Sequence, residues 1–181
     1  MTKDKKYPKF NLDIPKQGYI LAVRRGEKDF IGSQIERVQL MRGYTPETAC
    51  YTHVEILSGG PDSMCIMPPR SKAINIQEFY KGRYVKIMTI DSVVYEKVYR
   101  YKVNALYNML CNTKYDNMGI LAFIFSFIKQ NPNRPFCSEG VTESVRKVYD
   151  WFLEGIPADE VFPATVVGAL ETITKWEGII E

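Results

Sequence analysis

The chain has 181 residues, 45% of them hydrophobic and 13% aromatic, enough to bury one substantial core without help from disulfides or metal. Its 24 lysines and arginines against 21 acids leave a net charge of +3, which singles out neither nucleic acid nor an anionic membrane as a partner. The four cysteines, Cys50, Cys65, Cys111 and Cys137, form no CxxC pair, and one histidine is too few for a zinc site of familiar spacing, so neither a metal nor a cofactor is expected.

Residues 1–16 carry Lys3, Lys5, Lys6 and Lys9 and read as a basic, flexible N-terminal tail, with residues 17–181 forming a single domain. No apolar stretch with a small-residue cleavage site follows the early lysines, which points to a reducing, cytoplasmic location. Tyr19 to Val23 has the length and composition of a first strand. Ile31, Ile35, Val38 and Met41 recur at helical spacing, closed by Gly43. Thr52 to Leu57 alternates as a strand does, and the turn-rich Ser58 to Ser63 leads into Met64 to Met67, predicting a β-hairpin.

Further strands are expected at Ala73 to Ile76 and Tyr84 to Ile90. Beyond Asp91 the apolar spacing becomes helical, with Asp91 or Ser92 as cap and Val94, Val98, Tyr101, Ala105 and Met109 as one face. Helices are also expected over Met118 to Phe127, Ser138 to Phe152 and Ala164 to Ile173. Met118 to Ile128 is about half as long as a bilayer crossing requires, so it reads as a core helix, and membrane association is not favoured. The fold class expected is α+β, strands first and helices later, with a mostly antiparallel sheet of about five to six strands, partly barrel-like, packed against helices.

Two residues carry candidate chemistry. Cys137, in Pro135-Phe136-Cys137-Ser138-Glu139-Gly140, falls at the start of a helix, where the dipole favours a thiolate. The chain's only histidine, His53, lies on the strand Tyr51 to Leu57, and strand alternation puts Glu55 on its face. Against activation stands Glu139, a carboxylate near the thiol. Cys65 and Cys111 lie in apolar patterns and read as core, the tyrosines between Tyr95 and Tyr107 as cover for helix faces, Asp116 as a helix cap, and Arg24, Arg25 and Arg70 as solvated cations.

Gly18-Tyr19-Ile20-Leu21, the helix from Ile31 to Met41, Tyr51-Thr52-His53-Val54-Glu55-Ile56, Lys114-Tyr115-Asp116 and Phe136-Cys137-Ser138-Glu139 resemble, in that order, the circularly permuted papain-like family of the NlpC-type superfamily of cysteine peptidases and amidases. The resemblance spans roughly residues 17 to 165 as pattern, and its specific parts are the His53 strand and the Cys137 helix start. It implies that Cys137 is the nucleophile, that His53 is the general base, and that backbone N–H groups at the helix start hold the oxyanion. The substrate implied is peptide-like or an acyl small molecule: an amide in a peptide, a peptidoglycan-derived peptide or a related small amide. The family's third polar residue usually lies on the strand after the histidine. Here Ser63-Met64-Cys65-Ile66-Met67-Pro68-Pro69 offers no acid or amide, and a hairpin pairing Ser58 with Ser63 would set Pro68 opposite His53. Glu55 is the substitute orienter, with a backbone carbonyl or a dyad as alternatives. The second histidine of the family's acyltransferase branch is missing. Rival readings are a lipid acyl hydrolase or acyltransferase on the same fold and a catalytically inactive binding module.

Overall fold

The computed structural model describes residues 9–11, 13–90, 97–115, 135–170 and 173–181. The lysines at 3, 5 and 6, the cap at Asp91 or Ser92, Asp116 and the helix expected from Met118 to Phe127 lie outside the described residues. The chain builds an open, six-stranded sheet from β1 (Ile20–Arg24), β2 (Tyr51–Gly59), β3 (Asp62–Cys65), β4 (Lys72–Asn75), β5 (Tyr84–Met88) and β6 (Thr174–Ile179), in the order β4-β3-β2-β1-β5-β6. All five strand pairs are antiparallel, and the sheet does not close toward a barrel. Helices α1 (Phe30–Met41), α2 (Pro46–Ala49), α3 (Ile76–Phe79), α4 (Lys97–Asn108), α5 (Cys137–Arg146) and α6 (Pro163–Leu170) complete the described fold.

Ile20, Leu21, Ala22 and Val23 of β1 are all buried, because both faces of the sheet are covered. One apolar cluster joins Ile20, Ala22, Val54 and Ile56 to Val103, Tyr107, Val141 and Val145 of α4 and α5. The other gathers Leu21, Val23, Leu57, Val85 and Ile87 with Tyr80 and Trp176, and Phe10 and Ile14 pack against it. The tail is therefore docked over part of its length, with the Phe10 and Trp176 rings edge to face at 5.0 Å.

Strands do not all precede helices. β6 returns after the last helix and pairs with β5, a strand missed because only Trp176 and Gly178 of its six residues are buried. Two helices also turn a different face inward from the one expected. In α1 the buried positions are Gly32, Val38 and Gln39, with Ile31 and Met41 exposed. Gln39 is tolerated there because its amide is fully used: Nε2 donates to Ala49 O at 2.7 Å and Tyr51 O at 3.0 Å, and Oε1 accepts from Ala164 N at 2.8 Å. In α4 the inward stripe is Val103 and Tyr107, an i,i+4 pair, whereas Tyr101 and, just past the helix end, Met109 face out. Tyr107 packs against α5 at Gly140, where an added Cβ would lie 3.7 Å from its ring and 2.4 Å from Ile66 Cδ1. Finally, α5 ends at Arg146 instead of running to Phe152. The Arg146 guanidinium donates to the carbonyls of Phe152 at 2.8 Å, Ile156 at 2.6 Å and Leu153, folding the next segment back as turns.

Candidate active site

β2 is irregular at both ends, and each irregularity places a residue of the site. Val23 pairs with His53 and Arg24 with Tyr51, so Thr52 is an extra residue on β2. At the other end Gly59 pairs with Asp62 but Leu57 pairs with Ser63, so Ser58 is a second extra residue. The turn itself keeps the register expected from the sequence, and the bulge at Ser58 shifts everything beyond it by one position. That shift corrects the expected pairing: continuing the observed offset, Met67 and not Pro68 falls opposite His53, and Cys65 falls opposite Glu55. A one-residue slip exchanges faces, so Cys65 turns toward His53.

Four polar atoms meet on this face. His53 Nε2 lies 3.2 Å from Glu55 Oε2 and 3.3 Å from Cys65 Sγ. The Tyr80 hydroxyl donates to Glu55 Oε2 at 2.8 Å and lies 3.4 Å from Cys65 Sγ. Tyr80 reaches in from the residue after α3, a one-turn helix capped by Asn75, whose Oδ1 accepts from Gln77 N at 3.0 Å. Glu55 is fully buried and His53 retains 20% of its side-chain exposure. Among the described residues Glu55 Oε1 has no hydrogen-bond partner.

Cys137 is the first residue of α5. Phe136, extended at ψ 175°, precedes it, and the Phe136 N–H donates to Glu139 Oε2 at 3.3 Å. Glu139 therefore caps the helix start through its carboxylate alone. Ser138 Oγ donates to Val161 O at 2.6 Å, which ties the helix start to the loop before α6. The Cys137 sulfur lies near enough to the His53 ring for each to shift the other's titration, and both line one cleft. His53, Cys65, Tyr80 and Cys137 open onto one cleft of about 270 Å³, walled also by Ile35 of α1 and by Tyr115.

The two thiols beside the imidazole behave oppositely. Burial pushes both up, and at Cys65 it wins over the attraction of the imidazolium, with Glu55 adding to the upward push. At Cys137 the attraction of the imidazolium and the backbone N–H groups of Val54 and Ser138 together outweigh burial, so the thiol is held below its ordinary value. Burial by itself would lower His53. The thiolate charges that Cys65 and Cys137 can carry oppose that and raise it well above 6.5. Burial and the Glu55 charge likewise drive the Tyr80 phenol well upward, so it remains a donor.

The arrangement thus brings His53, Glu55 and Cys137 together, and adds two residues that sequence reasoning passed over. Cys65 is buried but is no inert core thiol, and only the bulge at Ser58 reveals it. Tyr80 left no signal, since its tip arrives from another element. Cys111, expected in the core, is exposed. Arg24 is occupied as well: its guanidinium lies over the Tyr84 ring at 3.9 Å and 3.6 Å from Glu177. Among the described residues no helix is long and apolar enough to cross a membrane. No family model matches the chain, and no curated protein matches it in sequence.

Proposed function

We propose that the protein is a cysteine hydrolase of the permuted papain-like type, cleaving an amide bond through an acyl-enzyme on Cys137. The observation that carries this reading is Cys137, at the first turn of α5, sharing a cleft with the ring of the chain's single histidine, whose charge lowers its thiol pKa. A thiolate held by an imidazolium and helix-start amides is the form of cysteine that attacks carbonyls. In the reaction, the Cys137 sulfur bonds to the carbonyl carbon, and the oxyanion rests against helix-start N–H groups. His53 then gives its proton to the leaving nitrogen as the C–N bond breaks. Water, deprotonated by His53, attacks the thioester, releases the acid and restores the thiol. Glu55, at 3.2 Å from Nε2, orients the ring, and Tyr80 holds Glu55 in turn. Neighbouring free thiols at Cys65 and Cys137 suit a reducing, cytoplasmic setting.

The test is covalent labelling by an electrophilic acyl probe, followed by intact mass. Wild-type protein takes up one acyl group, while Cys137→Ser and His53→Ala, checked as folded by circular dichroism, take up none. Equal labelling of all three would refute the assignment.

A further inference from the structure

We propose that His53, Glu55 and Cys65 form a binding site for a single divalent transition ion of the zinc class, and that its occupancy silences the thiol chemistry of Cys137. The first part stands on geometry alone. The second rests on the hydrolase reading above.

The donors are one imidazole nitrogen, one carboxylate oxygen and one thiol sulfur, all within 4.8 Å of one another. Ligands bound to a tetrahedral zinc at about 2.0–2.3 Å stand about 3.3–3.8 Å apart. His53 Nε2 is already 3.2 Å from Glu55 Oε2 and 3.3 Å from Cys65 Sγ, and the carboxylate and thiol are within 4.8 Å of each other, so side-chain shifts of up to about an ångström admit the ion. Charge closes as well. One carboxylate and one thiolate balance a dication, and the imidazole binds neutral, leaving no net charge where Glu55 and Cys65 are both buried.

Two features of the cluster point the same way. Glu55 Oε1 is buried without a hydrogen-bond partner among the described residues, an uncommon cost that ligation through both carboxylate oxygens relieves. Tyr80 already donates to Glu55 Oε2, the kind of outer hydrogen bond that fixes a ligating carboxylate. The cleft that exposes His53, Cys65 and Cys137 together provides an entry and leaves room for water as fourth ligand. With a metal on Nε2 the ring keeps one proton, on Nδ1, and cannot take up a second, so His53 can neither become the imidazolium that stabilises the Cys137 thiolate nor accept a proton and pass it to a leaving group.

Cobalt(II) titration of the full chain, freed of metal by chelator, reads the site through its sulfur-to-cobalt absorption. The expected result is a band saturating at one equivalent, lost in Cys65→Ser, retained in Cys137→Ser, and weakened at least tenfold in affinity in Glu55→Gln. Zinc at one equivalent should displace cobalt and slow alkylation of Cys137 at least tenfold in the wild type, reversibly with chelator, but not in Cys65→Ser. Should Cys65→Ser fail to fold, Glu55→Gln carries the same comparison. Absence of the band, or a band that survives Cys65→Ser and vanishes in Cys137→Ser, would overturn the site. Binding with undiminished alkylation would overturn the silencing. The cobalt readout needs no hydrolysis, so failure of the hydrolase assignment leaves a distinct signature.

Discussion

Cys65 and Cys137 are the same residue type, both buried, both beside His53, and their thiols move in opposite directions. What separates them is backbone. Cys137 has the N–H groups of Val54 and Ser138 and a helix start behind it; Cys65 ends a strand and faces a phenol and a carboxyl group. A lowered thiol is ionised at a pH where an ordinary one, near 8.5, is still protonated. The rate of Cys137 alkylation in chelator-treated protein should therefore hold up below that value and fall only as pH drops through the lowered thiol pKa. In His53→Ala the whole profile should move to higher pH, because the largest influence opposing burial is gone. Superimposable profiles would show that the imidazole does not govern the thiol. Tyr80 makes a second case. Tyr80→Phe deletes the donor 2.8 Å from Glu55 Oε2 and leaves a fully buried carboxyl group dependent on His53 alone. The expected loss is about 1–3 kcal/mol, read as a shift in urea midpoint at unchanged slope. His53 and Glu55 were legible as neighbours because strand alternation is local, whereas Tyr80 was not, because its approach depends on tertiary packing.

At the scale of elements, the sequence located most of the sheet and misjudged which way the helices face. Hydrophobic spacing weighs every apolar residue alike, so in α1 it favoured Ile31 and Met41 over Gln39. The structure reverses that choice because Gln39 makes three hydrogen bonds to backbone groups. It joins α1 to Ala49, to Tyr51 at the start of β2, and to Ala164 near the start of α6. Through Tyr51 it also steadies the strand that carries His53. Gln39→Ala should cost about 3 kcal/mol, the upper end for buried groups left unsatisfied, by chemical denaturation. It should also slow acyl-probe labelling of Cys137 more than the small unfolded fraction explains. The hairpin teaches the complementary lesson. Gly59 and Gly60, at φ 105° and 59°, announced the turn, but no residue announced the bulge at Ser58, and that bulge decides whether Cys65 faces His53.

Across the molecule, the site sits on β2 in the interior of the sheet, and what guards the sheet on the β5 side is β6, the strand that the sequence reading overlooked. Its six residues alternate only weakly, since Thr174, Lys175 and Glu177 are not buried, but tertiary contacts compensate for weak propensity. Trp176 and Ile180 belong to the apolar cluster under Leu21 and Val85, and Phe10 closes over Trp176. Glu177 accepts the Tyr51 hydroxyl at 2.7 Å and lies 3.5 Å from Lys86 Nζ, so it satisfies polar groups on β2 and β5 at once. A chain ending at Ile173 would lose all of this and expose the N–H and C=O groups of Tyr84–Met88 as a bare edge beside buried Val85 and Ile87. Such an edge pairs with another copy of itself. Size-exclusion chromatography with light scattering should then show the truncated chain self-associating as concentration rises, by comparison with the full chain at the same concentrations. The substitution Trp176→Ala, which keeps the backbone of β6, should cost about 3–5 kcal/mol without that association, because the strand still occupies the edge even as the cluster beneath it loses its largest member.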